Sequence, residues 1–145
     1  MNERIPEPEV WAANLRDFAH RCIGSSAADE ADRVREAMLL LRGVVGSCGS
    51  RWIDAAALEP MLACGATESA VLAIFGPDVA FMVSRGKNGC SLATVIVSDG
   101  GDEVMSEGET PALALLAAYS GALLSDIECG GGAWFSFPGP ASRSH

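Results

Sequence analysis

Carboxylates are the densest reactive groups in this 145-residue chain. Asp99, Asp102, Glu103, Glu107 and Glu109 share one stretch, Asp99-Gly100-Gly101-Asp102-Glu103-Val104-Met105-Ser106-Glu107-Gly108-Glu109. Ca²⁺ and Mg²⁺ sites draw several such oxygens from flexible loops. The spacing lacks the alternating ligands and final bidentate glutamate of an EF-hand, so no metal is expected. The stretch reads instead as a solvated acidic loop available for protein contact. Glu107 and Glu109 would lie near the positive end of the helix that follows.

Nucleophilic chemistry has little to draw on. His20 and His145 are the only histidines. His20 adjoins an apolar stripe, and His145 is the last residue. No G-x-S-x-G, phosphate-binding loop or G-x-G-x-x-G occurs, and Gly130-Gly131-Gly132 lacks the strand-to-helix context of a phosphate cradle. Neither catalytic residues nor a cofactor are expected. The five cysteines (Cys22, Cys48, Cys64, Cys90, Cys129) are widely spread with no C-x-x-C pair, and read as reduced, packed thiols. His20 and Cys22 are two apart on a helix and converge poorly on zinc.

Two further groups could bind. Trp134, Phe135 and Phe137 lie in a Gly- and Pro-rich tail, where aromatics either fold back on the core or anchor a partner. Arg85 and Lys87 could line a pocket between sheet and helices for a small ligand or nucleotide. The formal net charge of −9 argues against direct nucleic-acid binding; it fits solubility alone first, and a partner with a basic surface as the alternative. The acidic, proline-broken start is not a signal peptide, and the charge-free run from Pro111 to Ser125 is too short to span a bilayer. A cytoplasmic protein with no membrane contact is expected.

The elements that would position these groups follow from periodicity. Pro8 to Ile23 reads as a helix with Trp11, Leu15, Phe18 and Cys22 on one stripe. Ser26 and Asp29 form a variant capping box for a second helix, about Ala27 to Val45, striped by Val34, Met38, Leu41 and Val45. Asp29–Arg33 and Asp32–Arg35 can pair on its wet side. Residues 8–48 thus read as a helical hairpin, packed on itself or on a sheet. Asp54 to Cys64 suggests a short helix capped by Asp54, with Pro60 leaving its length open. Thr67 to Phe75 fits a helix, with a strand as the alternative. Val79 to Arg85 and Cys90 to Ser98 form a β-hairpin around Gly86-Lys87-Asn88-Gly89. Its exposed edge invites homodimerisation. Thr110 and Pro111 open a last helix free of charge until Asp126. Residues 126–145 are a tail, or supply a third strand at Ala133 to Phe137.

The order helix, hairpin, helix, with Gly76-Pro77, the Gly-rich turn and Gly108-Glu109-Thr110-Pro111-Ala112-Leu113-Ala114-Leu115-Leu116-Ala117-Ala118, resembles the phage ABA sandwich family. The resemblance covers about Thr67 to Leu124, and the N-terminal helices depart from that pattern. It implies small phage or prophage proteins of layered α/β build, and it brings no catalytic residues. The expected fold is α+β within one domain: a helical hairpin (8–48), an α-β-β-α layered module with a small antiparallel sheet (67–124), and the segment 126–145. The expected role is a non-enzymatic phage accessory protein that binds another protein, such as an inhibitor of a host defence system. Small-ligand or nucleotide binding and a virion structural role are the alternatives. The residues expected to meet a partner are the five carboxylates and the three tail aromatics.

Overall fold

The structure, a computed structural model, describes residues 8–47, 55–75, 79–97 and 102–128. It is mixed α and β: α1 (Pro8–Gly24), α2 (Glu30–Ser47), α3 (Ala55–Ala63), α4 (Thr67–Phe75), β1 (Ala80–Arg85), β2 (Ser91–Ile96), β3 (Val104–Gly108) and α5 (Pro111–Glu128). The segment left open between helix and strand, 67–75, is helix α4.

The stripe Trp11, Leu15, Phe18 and Cys22 is buried along α1, as its spacing requires. It packs chiefly on α5, and the α1–α2 contact is the lesser one. The Trp11 indole N–H donates to the Leu40 carbonyl at 3.1 Å, pinning α2 to α1. The second helix starts later than its pattern suggests, because Ala27–Asp29 forms a 3₁₀ turn. The Asp29 carboxylate accepts from the Ser26 backbone N–H at 3.1 Å, the return half of the capping box. Asp29 is thereby engaged, and Arg33 pairs with Glu36 at 3.0 Å instead. Arg35 holds Asp32 as expected at 3.2 Å and also grips Glu59 of α3 with both ends of its fork, at 2.8 and 2.9 Å. That bidentate hydrogen bonding holds the Glu59 carboxyl below its ordinary range.

The sheet is antiparallel in the order β1-β2-β3. Its first turn closes as Gly86 N–H bonds Cys90 C=O at 2.8 Å and Gly89 N–H bonds Gly86 C=O at 3.1 Å. Gly89, at φ +90°, occupies the left-handed position such a turn needs. The third strand corrects the sequence reading. It lies inside the supposed acidic loop, at Val104–Gly108, and pairs with β2. Serine, glutamate and glycine are weak strand formers, so only the alternation of Val104, Ser106 and Gly108 against Met105 and Glu107 marked it. The tail segment 133–137, considered for that role, lies outside the described residues.

Helix α5 is the keystone. The Thr110 hydroxyl accepts from Leu113 N–H at 3.2 Å, and Pro111 fills the first helical position. Every residue from Ala112 to Ser120 is buried, because β2 and β3 cover one side while α1, α2 and α4 cover the others. A helix apolar all round is a buried helix, and the missing charges have this cause. Phe75 of α4 stacks on Tyr119 with ring centroids 4.3 Å apart. Alanines at 112, 114, 117, 118 and 122 let the neighbours approach closely. The layers stack as sheet, α5, then the other helices. All helices therefore lie on one side of the sheet, and its opposite face is bare among the described residues.

Candidate functional site

The bare face follows from strand register. Partners across the sheet point the same way, so Met82, Thr94 and Met105 form one row and Ser84, Leu92 and Glu107 the next. Ala93 and Val95 point to the opposite face and are buried against α5. Met82 is 65% exposed, Met105 62% and Leu92 36%. Unbranched, polarizable methionines adapt to varied partner shapes. Glu107 stands on the same face beside Leu92, and Glu103 is exposed just before β3. The result is an apolar centre with two carboxylates along its β3 edge.

The sequence's acidic group is divided by the structure. Glu107 belongs to the face. Asp102 accepts from the Ser125 hydroxyl at 3.2 Å and so ties the start of β3 to the end of α5. Glu109 accepts from Ala27 N–H at 3.5 Å, on an orphan donor at the entrance to α2. Its carboxylate is a cap across the fold. Asp99, Trp134, Phe135 and Phe137 lie outside the described residues. Arg85 ends β1 and Lys87 sits in the adjoining turn, both exposed.

Sequence reasoning missed Met82, Leu92 and Met105. Their alternation with buried neighbours was visible, but which face lacked a cover depends on where the helices pack.

A shallow groove of about 350 Å³ lies elsewhere, between α1 and α2. It is lined by Asp17, Arg21 and Glu36 with Phe18, Leu39 and Leu40. Arg21 bridges it to Glu36 at 3.3 Å and lies 5.8 Å from the Phe18 ring centroid, so its charge is already matched from both sides. Among the described residues no three His, Cys, Asp or Glu side chains gather as metal ligands, and no helix is long and apolar enough to cross a membrane.

Cys22 beneath α1 is fully buried, and burial pushes its thiol from an ordinary value of 9.0 up to about 12, opposed by Arg33. Alkylation at pH 8 is therefore expected to spare Cys22 in the native protein while modifying exposed Cys64. Above pH 9 the unfolded thiol loses its proton and the buried one keeps it, so Cys22 lowers stability progressively as pH rises toward 12. Urea unfolding of Cys22→Ala should show a flatter alkaline decline than wild type; parallel declines would contradict this assignment.

No family model, no curated protein and no solved structure matches the chain.

Proposed function

We propose that the protein is a non-enzymatic binding module that docks a protein partner on the bare face of its sheet. The carrying observation is the row of Met82 and Met105 standing in solvent on a three-stranded sheet whose other face is packed against α5 along β2 and β3. Interfaces typically centre on desolvated apolar anchors ringed by polar groups, and this face has that layout. The carboxylates on the β3 edge call for a partner that is basic where it meets that edge. The likeness of Thr67 to Leu124 to phage ABA sandwich proteins adds a setting: a phage or prophage accessory protein that engages a bacterial host component, such as a defence protein.

The test is affinity capture from phage-infected bacterial lysate, comparing wild type with Met82→Glu/Met105→Glu and with Glu103→Lys/Glu107→Lys. Glu109 is left intact, since reversing it would disturb the cap on Ala27. Both variants should keep the wild-type melting temperature within the small range typical of exposed substitutions, about 0.5 kcal/mol. The methionine variant should lose the captured protein outright. The charge variant should weaken capture and its dependence on salt. A partner held equally by the methionine variant would reject the face as the site.

A further inference from the structure

The edge of the sheet carries information distinct from its face. Strand β1 is an edge strand, and among the described residues it contacts chiefly β2 and, more slightly, α5. Natural edges are normally blunted by proline, bulges or inward-pointing charge. From Ala80 to Ser84 this strand has none of these. Bonding alternates along an antiparallel pair, and Gly86 N–H is bonded across to Cys90. Counting back from Gly86, Ser84, Met82 and Ala80 bond β2, while Phe81, Val83 and Arg85 turn their N–H and C=O groups outward. Phe81 is 46% exposed even though it shares the α5 side of the sheet with Val95. An aromatic ring on the packed side is thus left uncovered just where the backbone is unpaired.

We propose that β1 pairs antiparallel with β1 of a second copy, about a two-fold axis at Val83, to form one continuous sheet. With Val83 opposite its own copy, Phe81 falls opposite Arg85 of the other chain, twice by symmetry. Both are outward-bonding positions on the same side of the sheet, so each guanidinium lies against an aromatic ring. Met82 falls opposite the copy's Ser84.

Charge favours a second copy as the occupant. The chain carries −9, yet residues 79–97 hold Arg85 and Lys87 and no carboxylate. Pairing through β1 sends both β3 strands, with Glu107, to the far edges, where the two acidic surfaces are most widely separated. A foreign strand drawn by the two cations would need acidic residues of its own. The copy instead meets Arg85 with Phe81. The axis runs perpendicular to the sheet, so the bare faces of both copies lie on one side and merge. This inference uses the edge and is independent of partner docking on the face.

The test measures the mass of the full-length chain by sedimentation equilibrium, together with amide hydrogen exchange. Wild type is expected to be a dimer with protected amides at Phe81, Val83 and Arg85. Val83→Pro removes an outward N–H without touching the bonds to β2, a position where an edge strand tolerates proline. It should give a folded monomer, whereas Ser84→Pro should unfold the hairpin.

Phe81→Lys puts like charges opposite each other and should raise the dimer dissociation constant by about 30-fold or more. Phe81→Lys/Arg85→Glu turns both contacts into ion pairs and should restore the dimer. Rescue by the double variant would establish the register even if Val83→Pro fails to fold. A wild-type monomer overturns the proposal, whether its edge amides exchange freely or are protected by another segment of its own chain. So does a dimer indifferent to Phe81→Lys, or one that Phe81→Lys breaks and Arg85→Glu does not restore. Met105→Glu, on β3 at the edge away from the pairing strand, should leave the dimer intact, so failure here and failure of the docking face are read separately.

Discussion

Gly108→Ala is expected to destabilise the protein by about 2–3 kcal/mol, the cost of forcing an extra carbon into a close-packed site. An added Cβ would lie 2.7 Å from the Ala114 nitrogen and 3.0 Å from the Leu113 carbonyl carbon. Those are backbone atoms in the first turn of α5, so no side-chain rotation can relieve the contact. The turn is also anchored, by the Thr110 cap on one side and by burial of Leu113 on the other. Alanine restricts the unfolded chain, which offsets roughly 0.4–1 kcal/mol, and the clash still dominates. For a chain of this size the melting temperature should fall by roughly 4–12 °C. Gly24→Ala is the control, because nothing lies within 4 Å of its added carbon. It should be neutral or slightly stabilising. Equal urea midpoints for Gly108→Ala and Gly24→Ala would rule out so close an approach of β3 to α5.

Gly108 also shows what can be read in a sequence and what cannot. The cap at Thr110-Pro111, the stripe of α1 and the turn at Gly89 are local: a few neighbouring residues dictate them, and all were legible. The run Ala112–Ala118 advertised burial by its lack of charge, although nothing in it named its neighbours. Strand β3 was obscured because Ser106, Glu107 and Gly108 have little strand propensity of their own. Glycine belongs at 108 for a tertiary reason, the passage of the α5 backbone.

The acidic residues make the same point for function. Adjacent in sequence, they read as one loop with one role. Folding assigns Glu107 to the open face, Asp102 to Ser125 and Glu109 to the entrance of α2. The apolar centre of the face is assembled from all three strands, one or two residues from each. Its exposure depends on the helices having all chosen the other side.

Phe18→Ala should be the most damaging single side-chain truncation in α1, at about 3–5 kcal/mol. That is a large part of the 5–15 kcal/mol that typically holds a domain together. Phe18 is completely buried within the same apolar cluster as Leu113, Leu115 and Leu116 of α5. The consequence reaches beyond one residue. The N-terminal helices precede the sheet and the helix that covers it, and could be taken for an appendage. Yet α1 packs on α5 at least as extensively as any single strand of the sheet does. Removing it would expose a helix with no charged residue from Pro111 to Ser125. Each leucine uncovered there forfeits about 1.5–3 kcal/mol of burial.

A fragment beginning at residue 55 is therefore expected to be aggregated or molten, with near-ultraviolet circular dichroism lost and rapid proteolysis throughout. The full chain carrying Phe18→Ala should still unfold cooperatively, at a lower urea midpoint. A soluble, cooperatively folding fragment would mean that the hairpin and the last helix form a self-contained module. In that event α1 and α2 would be free to serve a purpose of their own. The packing of α5 argues the reverse: the helices at the start of the chain hold the central helix in place, and among the described residues the sheet's outer face is what stays bare.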